Sequence, residues 1–112
     1  MANYYSDHPE FDFYLNHPEM KRVVELKERN FADKDKYEDA PVDFDDAIEN
    51  YKRVLDITGD IAANILEPNS EAVDLEGPHL VEGRMHYASK TYENIEATRQ
   101  AGLWGISMPR RY

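Results

Sequence analysis

The sequence has no cysteine, which excludes disulfides, thiolate metal ligands and cysteine nucleophiles together. Glycine is scarce, five in 112 residues and none of them clustered, so no phosphate-cradling loop can be drawn. The opening MANYYSDHPEF has neither a basic nor an apolar leader segment, and no later run is long and apolar enough to span a bilayer. Ser-His-Asp and Gly-x-Ser-x-Gly arrangements are missing as well. These absences imply a cytoplasmic chain with no membrane span and no catalytic residue of its own.

Positive charge is also in short supply: thirteen Lys and Arg face twenty-three Asp and Glu, for a net −10. The imbalance is uneven. Residues 83–112 hold Arg84, Lys90, Arg99, Arg110 and Arg111 against Glu93 and Glu96, a net +3, which leaves −13 on the first 82 residues. So acidic a body repels phosphate backbones and argues against nucleic-acid binding. The basic end either faces an acidic surface or reflects scatter among few charges.

What the sequence does have is helical periodicity. His-Pro-Glu occurs twice, at 8–10 and 17–19. The repeated histidine invites a metal site, but no partner ligand follows at helical spacing. Proline at a first helical position makes two helix starts the better account. Residues 1–17 then form an arm anchored by Tyr4, Tyr5, Phe11, Phe13 and Tyr14. Residues 18–31 form a helix with Met20, Val23, Val24 and Leu26 as its apolar set. The acid-rich stretch 32–42, with Pro41, reads as a mobile, solvated connection; it lacks the EF-hand spacing, so no cation site is assigned.

Asp43 stands at an N-cap, with Asp45 and Asp46 in the first turn. From there Phe44, Ile48, Tyr51, Leu55, Thr58, Ala62 and Ile65 recur at alternating spacings of four and three, which is one face of a long helix. That helix runs over 43–76 with a kink near Pro68. Gly59 inside it is either a weak point or a site of close helix–helix approach. Residues 79–87 change period and read as a hairpin-like insert around Gly83. Ser89 can cap a last helix, 89–101, which stops at Gly102 with Leu103 supplying the hydrophobic contact beyond it. The fold class is all-α: three principal helices, roughly antiparallel, with the short insert laid across an edge.

The second half, from the long helix through Pro68, Asp74 and Pro78 to Gly102-Leu103 and Pro109-Arg110-Arg111-Tyr112, resembles the N-terminal helical region of flavin-dependent acyl-CoA dehydrogenases. The resemblance covers roughly residues 44–112 and is most specific in the Gly-Leu to Pro-x-x-Tyr element. That family continues with Gly-Gly, so the sequence reads as cut at a landmark. The 79–88 insert and the FDFYL arm resemble the longer branch, which includes enzymes similar to methylmercaptopropionyl-CoA dehydrogenase. The resemblance implies FAD and an acyl-CoA substrate in the parent protein, with the catalytic base and flavin-binding strands beyond Tyr112. This segment would hold no cofactor, metal or catalytic residue. Gly102 and Pro109 would fix the turn into the next domain, and Leu103, Trp104 and Ile106 would pack against neighbours.

Two readings follow. In the first, the chain is a scaffold piece, inert alone, whose partners are the remainder of the parent chain and further copies of itself. It requires an exposed apolar surface. In the second, it is a free-standing acidic helical adaptor or inhibitor of a basic protein, which requires a polar surface all round.

Overall fold

A computed structural model describes residues 2–112. Asp43 is extended and its carboxylate accepts the Asp46 N–H at 2.9 Å, while the Asp46 carboxylate accepts the Val42 N–H at 3.0 Å. This reciprocal cap opens α3 (Phe44–Ile61). Before it come α1 (Glu10–Leu15) and α2 (Met20–Lys27); after it come α4 (Glu67–Glu76), the strands β1 (His79–Val81) and β2 (Arg84–His86), and α5 (Ser89–Gln100). The chain is mostly helical, with one antiparallel two-stranded hairpin.

The long helix expected over 43–76 is interrupted before Pro68, not at it. Ala62–Leu66 form a π-turn, in which the Glu67 N–H reaches back five residues to the Ala62 carbonyl. Pro68 has no N–H to offer and its ring crowds the carbonyl four residues back, that of Asn64. Widening the helix by one residue just upstream relieves that crowding without breaking the rod.

The helix expected over 18–31 is shorter at both ends. It stops at Lys27, since Arg29, Asn30 and Phe31 all lie in the left-handed region, at φ 50°, 55° and 61°. The Asn30 N–H donates to the Glu25 carbonyl at 2.8 Å and the Arg29 N–H to the Leu26 carbonyl at 3.3 Å. That is a Schellman stop with arginine where glycine is usual. Residues 32–42 are largely exposed, as a solvated connection should be, but they fold as successive turns, and Asp33, Ala40 and Pro41 are buried.

The arm is held by amide hydrogen bonds more than by aromatic packing. The Asn3 side chain donates to the Asp56 carbonyl and carboxylate, each at 3.1 Å, the Asn64 side chain donates to the Ala2 carbonyl at 2.9 Å, and the Tyr4 N–H donates to the Gly59 carbonyl at 3.1 Å. Gly59 is therefore the site of a close approach, but by the arm and not by another helix. Phe13 and Tyr14 on α1 stay open to solvent. Each histidine of the repeat serves its own turn: the His8 ring bonds the Tyr4 carbonyl, and the His17 ring accepts the Glu19 N–H.

Ser89 does not cap α5. Both its N–H and its hydroxyl donate to the Glu76 carboxylate, so Glu76 caps α5 from the end of α4 and closes the hairpin between them. These hydrogen bonds hold the Glu76 carboxyl below the usual carboxylate range. Asn69 adds a second tie, donating to Asn94 at 2.8 Å and Glu93 at 3.3 Å. In the hairpin, Leu80 faces Met85 and His79 faces His86. Glu82 and Gly83 both take positive φ, 50° and 77°, the two-residue turn whose twist matches paired strands.

The core is thin. Among the described residues, the buried apolar side chains are Val24, Ala40, Ala47, Ile61, Ala63 and Ala88, and four of these are alanines. The radius of gyration is 17.8 Å, against about 13 Å for a compact chain of this length. The accessible surface is 8553 Å², roughly a third above the ~6,400 Å² of a compact monomer of this mass.

Candidate functional site

An open groove of about 1430 Å³ lies between three parts of the chain. One wall is α3, at Tyr51, Val54 and Ile57; another is the set of turns from Lys27 to Pro41; the third is the C-terminal segment from Ala101 to Tyr112. Its shape depends on how that segment is held. α5 is capped at Ala101, and Gly102 takes φ 74° to send the chain into a 3₁₀ turn, Leu103–Gly105. Further turns follow, closed by Met108 N–H to the Gly105 carbonyl at 3.0 Å and Tyr112 N–H to the Pro109 carbonyl at 3.1 Å.

Beneath the groove lies a charged cluster. Glu28, the residue that ends α2, is 3% exposed. One carboxylate oxygen accepts the Tyr51 hydroxyl at 2.5 Å and the other faces the Arg110 guanidinium at 2.9 Å. Arg110 also lies 3.7 Å from Asp33 and 3.9 Å from Asp39. Arg29 pairs with Asp33 at 2.6 Å, and Lys27 lies over the Tyr51 ring at 5.3 Å. Arg110 thus fastens the C-terminal segment to the end of α2 and to the turns after it.

Burial pushes the Glu28 carboxyl up, but hydrogen bonds from Tyr51 and Arg110, with the charges of Arg110 and Lys27, outweigh it and hold Glu28 below the usual carboxylate range. Burial and the bond to Glu28 push the Tyr51 hydroxyl well above its ordinary value. The carboxylate stays ionised and the phenol neutral at physiological pH. Such a cluster fastens elements together; it does not exchange protons.

Of the residues singled out by sequence, Gly102, Leu103, Ile106 and Pro109 line the groove, while Trp104 does not. Leu103 is half-buried, and Trp104 and Ile106 are exposed, each at 59%. The Trp104 indole N–H donates to the Thr98 hydroxyl at 3.0 Å. A methyl group at Gly102 would meet nothing within 4 Å, so Gly102→Ala isolates the left-handed backbone penalty. It is expected to destabilise the fold by about 1 kcal/mol, read by urea unfolding.

Sequence reasoning missed Glu28, Asp33, Tyr51 and Arg110. Tyr51 falls on the apolar stripe of the long helix, where periodicity alone does not show that its hydroxyl meets Glu28. The pointer to Arg110 was its basic charge at the end of an otherwise acidic chain.

Among the described residues no buried side-chain nitrogen or oxygen lacks a partner. Nor does any group of three or more His, Cys, Asp or Glu come together as metal ligands among them. No helix among the described residues is long and apolar enough to cross a membrane. Comparison with known proteins finds no matching family model, no matching curated protein and no matching solved structure.

Proposed function

We propose that the chain is a helical scaffold completed by further protein, the N-terminal region of a cytoplasmic flavin-dependent acyl-CoA dehydrogenase. The family rests on the Gly102-Leu103 to Pro109–Tyr112 element and the helix before it. The observation that supports the scaffold role is the surface. Eighteen large hydrophobic side chains are exposed among the described residues, on a chain whose area exceeds that of a compact monomer by about a third. The hairpin end contributes much of it, through Leu75, Leu80, Met85, Tyr87 and Tyr92. A free-standing acidic adaptor would instead keep that surface polar.

In this reading α2, the α3–α4 rod and α5 form an antiparallel three-helix scaffold that packs against the remainder of the parent chain. Further copies complete a homo-oligomer. The parent's remaining domains hold FAD, which accepts a hydride from the β-carbon of an acyl-CoA, and supply the carboxylate that removes the α-proton. The present residues orient those domains and keep water from their shared surface.

The test is to express the protein at its natural length. It is expected to purify with flavin absorbance that an acyl-CoA thioester bleaches, while residues 1–112 alone bind no flavin. A natural-length protein that takes up no flavin, or whose flavin no acyl-CoA reduces, would overturn the assignment.

A further inference from the structure

The hairpin carries two histidines as a facing pair. His79 opens β1, His86 closes β2, and the strand register sets them directly opposite each other. The two-residue turn at Glu82-Gly83 fixes that register. Both strands are exposed along their length, and the two imidazoles lie nearly parallel, 20° between planes and 6.0 Å between ring centres. His8 and His17 each give a ring nitrogen to their own turn; this pair instead stacks in solvent.

That spacing is close to what a shared metal needs. Two imidazoles that bind one ion at the usual ~2.1 Å nitrogen distance have ring centres roughly 5 Å apart. The pair stands about an ångström wider than that, and rotation of two exposed side chains closes the difference. Neutral imidazole suits copper, nickel and zinc, whereas calcium and magnesium seek oxygen.

We propose that His79 and His86 form a two-histidine chelate for one transition-metal dication, holding copper(II) most tightly and nickel(II) and zinc(II) less so. The affinity comes from placement: once one imidazole has bound, the other is already beside the ion at high effective concentration. Two protein ligands leave the remaining coordination positions to water or to a donor from another molecule, so the site is an open one. The Glu76 carboxylate, fixed by Ser89, stands near enough to His79 for the two to interact electrostatically, and its charge favours a cation there. Arg84 shares the histidine face and opposes it, by the alternation of side chains along β2. The same alternation puts Leu80 and Met85 on the other face, the one assigned to contact with the parent's other domains. The metal face is therefore distinct from it, and the inference does not depend on the flavoenzyme reading.

Copper(II) alone, added below stoichiometry to the isotope-labelled 112-residue chain, tests it by nuclear magnetic resonance. The unpaired electron broadens nearby amide resonances, and the loss is expected to centre on residues 79–86. Calorimetric titration is expected to give one copper per chain, with weaker nickel and zinc. His79→Gln and His86→Gln are each expected to weaken copper binding by about tenfold or more. Both alter exposed side chains, and circular dichroism checks that each still folds. A register control separates chelation from the mere count of histidines. Met85→His with His86→Gln keeps two histidines in the hairpin but on opposite faces, and is expected to bind as weakly as the single variants. Broadening centred on His8, His17 or the amino end, a single variant as tight as wild type, or a register control as tight as wild type would each overturn the inference.

Discussion

Glu28→Ala is expected to lower the unfolding free energy by about 3 kcal/mol, near the low end for one partner removed from a buried ion pair. The low end applies since Arg110 keeps 25% of its side chain in solvent and can rehydrate. Tyr51 also loses its partner, since Glu28 is the acceptor of its hydroxyl. Tyr51→Phe, which removes only the hydrogen bond to a charged acceptor, is expected to cost about 1.5–3 kcal/mol. Urea unfolding of both variants checks this, and a Glu28→Ala loss below that of an ordinary surface change would refute it.

The acid response has a fixed sign. The folded Glu28 carboxyl lies below its ordinary value of 4.5, so the folded state binds its proton less readily than the unfolded chain. Its stabilisation is complete above the ordinary carboxylate range and drains away as pH falls through the folded value. The stability gap between wild type and Glu28→Gln should therefore shrink in acid and stay flat through neutrality. Trp104, on the segment that Arg110 fastens, gives the matching fluorescence readout.

The second large effect is at Gly59. A methyl group there would run into the Asn3 side chain and the Tyr5 backbone nitrogen, neither of which has slack. Gly59→Ala is expected to destabilise the protein by about 2 kcal/mol, the range for overpacking a tight site, and to release residues 2–6, seen as new sharp amide resonances. In a chain lacking those residues the sign reverses. Alanine is the better helix former, so the same substitution then stabilises by up to about 1 kcal/mol. Destabilisation that persists without the arm would show that Gly59 serves the helix itself.

These two sites mark what the sequence could and could not reveal. Features set by neighbours along the chain were legible: the Asp43 cap, the helix that follows it, the glycine turn of the hairpin. The end of α2 was not, since its left-handed position is filled by Arg29 in place of the glycine that announces such a stop. Ser89 has the composition of a cap, yet its hydroxyl is taken by Glu76, thirteen residues away. The acid count of 32–42 concealed that Ala40 and Pro41 are buried. The cluster was least visible of all. Glu28 and Tyr51 lie 23 residues apart, and Arg110 comes from the far end of the chain.

The π-turn at Ala62–Leu66 has a consequence for how this chain can change length. It amounts to one residue more than a continuous α-helix needs. The widened turn absorbs that residue, so deleting one residue there would restore regular spacing and leave α4 close to its present face, with Asn69 still toward Asn94 and Glu76 toward the start of α5. An insertion has no such slack and would turn α4 by about 100° relative to α3. The rod therefore keeps its phase through the loss of one residue around residue 64, but not through the gain of one.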